Sequence, residues 1–330
     1  MEEHLHASAS ADGFCPPRWL RGSHRQTLAG YWLRRLLRWP LSAEDLVVES
    51  APGVRLLLRA TWQPGPREVS PALVVVHGLG GSDASAYVVS TGRLAFARGF
   101  HVVRLNMRGC GDGEELSPLL YNAGLDADLV AVLEAVTRVV PRVAVVGFSL
   151  GANLTLLALG RRRVRIPNGL TGAVAVCPPL DLSACASALE ARGNGVYQRY
   201  FMQMLAEGYR RRSRARPDVF SAGREVGLRT VREYDERITA PFGGFESAAD
   251  YYTRSSAGPW LAAIDHPALV LAAADDPMIP LDSVARWPLS PHVRREITPT
   301  GGHVGFVAPS TAPGWFWAAE RAVGFLESVG

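Results

Sequence analysis

The chain has 330 residues, 48% hydrophobic and 20% charged, with a formal net charge of +4 and 35 basic residues that are all arginine. This length holds one large domain or two ordinary ones, and the balance is that of a globular protein, not a disordered or fibrous one. The absence of lysine excludes a P-loop, a pyridoxal Schiff base and a Ser-Lys dyad, because arginine stays protonated and serves neither as base nor as amine nucleophile.

Residues 1–18 read as a loose polar start around Pro16 and Pro17. Its acidic opening lacks the basic and apolar regions of a signal peptide. Residues 27–40 predict an amphipathic helix ended by Pro40, with Trp32, Leu33, Leu36 and Leu37 on one side and Arg34, Arg35 and Arg38 on the other. Strands are predicted at 45–50 and 54–62 around Pro52-Gly53. The run ALVVVHG (72–78) predicts a buried parallel strand. Helix and strand then alternate: helix 84–98, strand 101–106, helix 124–139, strand 142–147, helix 150–160, strand 171–177. From about 181 to 262 this rhythm gives way to helical, arginine-rich sequence. It returns with strands at 268–274 and 294–298 and a helix at about 313–328. The alternation predicts an α/β fold, a mostly parallel sheet flanked by helices. The whole chain is expected to be one domain, with 1–44 as an N-terminal extension and 181–262 as an inserted helical cap.

No run of 18 apolar residues is present, so no spanning helix is expected. Cys15, Cys110, Cys177 and Cys185 are scattered without metal-type spacing, which suits a reduced, cytoplasmic compartment. No nucleic-acid motif appears, and no nucleic-acid partner is expected.

The chemistry concentrates in four places. Gly147-Phe148-Ser149-Leu150-Gly151 is a G-x-S-x-G between a predicted strand and a predicted helix. That context suits a serine lifted above the sheet on a strained turn. His303 lies in a glycine-flanked loop between the last strand and last helix, and histidine is the side chain suited to act as base near neutrality. Asp275 and Asp276 directly follow strand 268–274. Asp276, with Pro277 after it, is the preferred acid; Asp275 and Asp181 are the alternatives. The order Ser149, Asp276, His303 is the α/β-hydrolase order. His77-Gly78-Leu79-Gly80-Gly81 follows strand 72–76 and suits an oxyanion loop, with the Leu79 and Leu150 amides as donors and His77 shaping the loop.

More extended patterns accompany these residues. Asp235, Gly244-Phe245, Asp250-Tyr251-Tyr252, Ser256, Ile264, Pro267 and Asp275-Asp276 form one spaced series. Asn106 with Arg108-Gly109-Cys110, Gly301 to Phe306, and Gly22 to Leu28 add three further segments. On these the chain resembles the YheT-like α/β hydrolases, the AB hydrolase 4 family, over most of residues 20–310. The resemblance implies a serine hydrolase of carboxylic esters, lipid-like in some relatives, with nucleophile Ser149, acid Asp276 and base His303. Asn122 departs from it, standing where a histidine is expected.

The expected activity is therefore ester hydrolysis on a small acyl ester, without metal or cofactor. Acyl transfer to an alcohol and thioester hydrolysis would use the same residues. A catalytically silent binding protein is the reading from another class. The run Arg210 to Arg216 reads as a solvated helix face, with contact to an anionic bilayer surface as its sharper alternative.

Overall fold

In the computed structural model, residues 13–33, 36–117 and 119–330 are described. The all-apolar segment Ala72–Val76 forms β3, every side chain of which is buried. Its alternate residues serve two layers, as a strand's period of two requires. Val74 and Val76 join one core with Leu129 and Leu157. Leu73 and Val75 join the other with Val89 and Val323.

Among the described residues the sheet has eight strands in the order β1-β2-β4-β3-β5-β6-β7-β8. β1 (Glu44–Ala51) and β2 (Val54–Thr61) form an antiparallel hairpin, and β2 also runs antiparallel to β4 (His101–Asn106). β3, β4, β5 (Val143–Phe148), β6 (Leu170–Val176), β7 (Ala268–Ala273) and β8 (Val293–Thr298) are mutually parallel. Leu129 and Leu157 come from helices α3 (Asp126–Thr137) and α4 (Leu150–Arg161). Val89 and Val323 come from α2 (Ala86–Ala97) and α11 (Trp317–Val329). The sheet thus carries helices on both faces, and its parallel strands deliver their following loops to one edge.

The first helix differs from expectation. It is α1 (Ser23–Trp32), four residues earlier and much shorter than the predicted 27–40. Gly30 packs against the backbone of Val304 and Gly305, where an added Cβ would lie 3.2 Å from the Val304 oxygen. Docking on a distant loop, not amphipathic periodicity, therefore places this helix. Arg34 and Arg35 lie outside the described residues. Trp39 turns back onto the sheet, its indole N–H donating to Thr61 Oγ1 at 3.1 Å.

Between β6 and β7 the chain forms α5 (Leu182–Glu190), α6 (Gly195–Ala215), α7 (Val231–Tyr234), a π-helical turn (Asp235–Thr239), α8 (Ala240–Gly243) and α9 (Ala248–Ser255). Met202, Tyr209, Phe220, Tyr234 and Ile238 give these helices a small core of their own. The arginine run on α6 is a solvated face at Arg210, Arg211, Arg214 and Arg216, which are exposed, and Arg212 is the exception. Arg210 pairs with Glu207 and Glu225, Arg211 with Glu114, and Arg216 with Asp218. Arg212 is buried and donates to the carbonyls of Gly109 and Ser117 at 3.0 and 3.1 Å. One short helix, α10 (Leu281–Ala285), lies between β7 and β8.

Candidate active site

Ser149 occupies the turn from β5 into α4 with φ +50° and ψ −116°, a conformation that glycine favours and other residues adopt at a cost. Two hydrogen bonds hold it there. Its N–H donates to the Val176 carbonyl at 2.8 Å, and its own carbonyl accepts from Asn153 N–H at 3.0 Å. The flanking glycines are sterically required. A Cβ on Gly147 would stand 2.3 Å from the Gly151 oxygen, and one on Gly151 would stand 2.5 Å from the His77 oxygen.

His303 meets this serine from the loop after β8. Its Nε2 is 2.9 Å from Ser149 Oγ, and its Nδ1 is 2.8 Å from Asp276 Oδ2. The other oxygen of Asp276 accepts from the amides of Met278 and Ile279 at 2.8 and 3.0 Å. A carboxylate only accepts, so Nδ1 carries the hydrogen and the Nε2 lone pair faces the serine hydroxyl. The two adjacent acids divide their work. Asp275 accepts from the Gly302 amide at 2.9 Å and so fixes the loop, not the imidazole. Asp181 caps α5 through the Ala184 amide and pairs with Arg286.

The loop after β3 lies opposite. His77 is fully buried, donating from Nδ1 to the Gly78 carbonyl at 2.7 Å and accepting the Met107 amide at Nε2 at 3.1 Å. Burial pulls its pKa down to about 4, so it stays a neutral framework residue. The amides of Gly78, Gly80 and Gly81 are taken by Tyr87 Oη, Tyr121 Oη and the Gly78 carbonyl, each at 3.0 Å. Among the described residues the amides of Leu79 and Leu150 have no partner.

The N-terminal segment supplies part of this site, a function its sequence did not reveal. Thr27 Oγ1 accepts the His303 amide at 2.9 Å. Gln26, fully buried, donates to the carbonyls of Leu20 and Val307, both at 3.0 Å, and accepts from the Val307 amide at 2.7 Å. His24 bonds Tyr197 Oη at 2.8 Å. The other histidines serve packing or surface contacts: His101 accepts the Gln63 amide and His266 pairs with Asp265. His4 and His6 lie outside the described residues.

Cys177, Asp276 and His303 place ligand-type atoms within 4.8 Å of one another. Burial and the nearby Asp276 push the Cys177 thiol well above its usual range, and its sulfur already accepts the Val304 amide at 3.4 Å. His303 Nδ1 is already committed to Asp276.

Two cavities meet at Ser149 and His303. The first, about 130 Å³, runs among the helices of the β6–β7 segment past Leu182, Leu189, Phe201 and Leu205. The second, about 320 Å³, opens towards α1 past Thr27, Tyr87 and Tyr197. Leu79, Phe201 and Met278 line both.

Residues 71–308 match the alpha/beta hydrolase fold family. The chain is also 31% identical over 326 residues to the candidate esterase YheT of Escherichia coli, covering 97% of this chain and 94% of that protein. The chain belongs to the YheT-like α/β hydrolases. This α/β hydrolase is also 27% identical over 276 residues to the monoacylglycerol lipase of Saccharomyces cerevisiae, covering 79% of this chain and 60% of the lipase. It shares its fold with the Pyrococcus furiosus esterase Pf2001 at 16% identity and a TM-score of 0.57, over 96% of this chain and 100% of that one. Among its described residues no helix is long and apolar enough to cross a membrane.

Proposed function

We propose that the chain hydrolyses carboxylic esters through an acyl-enzyme formed on Ser149. The observation that carries this reading is the unbroken line Ser149 Oγ, His303 Nε2, His303 Nδ1, Asp276 Oδ2, with both links under 3 Å. Ser149 Oγ attacks the acyl carbonyl while His303 Nε2 takes its proton, and Asp276 stabilises the resulting imidazolium and holds its orientation. The Leu79 and Leu150 amides face the oxyanion, where each such donor contributes about 3 kcal/mol. His303 then hands its proton to the departing alcohol. Water, deprotonated by the same nitrogen, attacks the acyl-serine and restores the serine.

The two cavities support a division of the substrate. The first, lined largely by apolar side chains beneath the helices of 181–262, takes the acyl part, and those helices act as its cap. The second takes the alcohol part, with residues of α1 from Thr27 to Trp32 on one wall. The esterase and lipase names of the relatives support the same class of substrate, lipid-like esters included. All four cysteines are free, which suits a cytoplasmic setting.

The test compares p-nitrophenyl ester hydrolysis by wild type and Ser149→Ala, alongside labelling by a fluorophosphonate. Loss of both signals in the variant is expected. Equal rates in the two proteins would remove the assignment.

A further inference from the structure

The acyl cavity contains one group that an alkyl chain does not need. Asp235 lines it and is only 8% exposed, among walls supplied by Leu182, Leu189, Leu205 and Ile279. It opens the π-helical turn Asp235–Thr239, a wide turn with poorer hydrogen-bond geometry that recurs at functional positions. Tyr252 Oη donates to its Oδ2 at 2.8 Å, and the Thr239 hydroxyl and the Arg232 guanidinium also act on it. A carboxyl group offers about four acceptor positions, so the two hydroxyls leave it incompletely satisfied.

Asn122 lines the same cavity. It accepts the Gly124 amide through Oδ1 at 2.9 Å, and among the described residues its Nδ2 has no partner.

We infer that the acyl cavity selects an acyl chain bearing a hydroxyl group beyond the ester carbonyl, with Asp235 accepting its hydrogen and Asn122 Nδ2 donating to its oxygen. This rests on the reading that Ser149 is acylated from that cavity. A plain alkyl chain would strip water from Asp235 and Asn122 and return nothing to them. Leaving such groups unpaired is costly, and sites built around a substrate hydroxyl reject the analogue lacking it far more strongly than apolar pockets reject a missing methylene. An ammonium group would satisfy Asp235 but would face a second donor in Asn122.

The experiment measures kcat/KM for p-nitrophenyl hexanoate and octanoate, for counterparts with a hydroxyl moved along the chain, and for the aminohexanoate. The proteins are wild type, Asp235→Leu, Asp235→Asn and Asn122→Ala. The readout is the ratio of hydroxylated to plain ester within each protein, which cancels any misfolded fraction. Wild type should favour at least one hydroxylated ester by about tenfold or more. Asp235→Leu should abolish or invert that ratio, and Asp235→Asn and Asn122→Ala should each reduce it. The inference is overturned if wild type prefers the plain esters at every position, if it prefers the ammonium ester, or if the ratio survives in all three variants. Failure of wild type to cleave any ester, with Ser149 unlabelled by fluorophosphonate, would instead remove the underlying assignment and this inference with it.

Discussion

Gln26 and Val307, 281 positions apart, bind each other as neighbouring strands do: the Gln26 amide nitrogen donates to the Val307 carbonyl, and its oxygen accepts the Val307 amide. This pair fixes the loop that carries His303, so Gln26→Ala should weaken both stability and turnover. Three buried backbone groups lose their partner, since the Leu20 carbonyl is released as well. The expected loss is about 3 kcal/mol or more by urea unfolding, with kcat falling more than KM rises. Gln26→Glu keeps the acceptor and should fall between. Unchanged stability in Gln26→Ala would show that the loop is held elsewhere.

Ser149 stores backbone strain at its positive φ. Ser149→Gly and Ser149→Ala should both be inactive, yet the glycine variant should be the more stable by about 1 kcal/mol, because glycine alone adopts this conformation freely. Coincident urea midpoints for the two variants would argue that the turn is relaxed.

Arg212 joins the β6–β7 helices to the segment after β4 through two carbonyls. Lysine reproduces the charge but not the fork, so Arg212→Lys should cost about 2 kcal/mol. The fit is close: a Cβ on Gly109 would lie only 1.5 Å from the Arg212 guanidinium. Wild-type stability in Arg212→Lys would mean one donor suffices.

Two buried groups give stability opposite pH slopes. Folded His77 takes a proton only near pH 4, against 6.5 in the unfolded chain. Its contribution is therefore present above 6.5 and lost as pH falls towards 4, about 3 kcal/mol in all. Desolvation raises Asp235 from 3.8 to about 6, so the folded state holds its proton longer, and stability is lost as pH rises between those values. Asp235→Asn should consequently be more stable than wild type at pH 7, by up to about 3 kcal/mol, with the advantage fading near pH 4. An equal advantage at both pH values would contradict this account.

The apolar runs at 72–76, 143–148 and 268–273 were legible as strands because burial on both faces leaves an unbroken hydrophobic signature. The positions of Ser149 and His303 at one sheet edge followed from the alternation of strands and helices. What the sequence concealed depends on distant partners. Asp275 and Asp276 are chemically identical neighbours, and only the turn after β7 sends one to the Gly302 amide and the other to the imidazole. The true extent of α1 depends on its docking against Val304 and Gly305. Arg212 looks like its exposed neighbours until the Gly109 and Ser117 carbonyls are set beside it.

Ser149 and His303 are separated by 154 positions along the chain. At about 5–20 residues per second, a ribosome takes roughly 8–30 s to travel from one to the other. Throughout that interval the nascent chain carries its hydroxyl without its imidazole, and the Gln26 side chain waits longer still for Val307. Both contacts therefore close only after the loop beyond β8 has been made, so the site is assembled late in synthesis although Ser149 and Gln26 are made early.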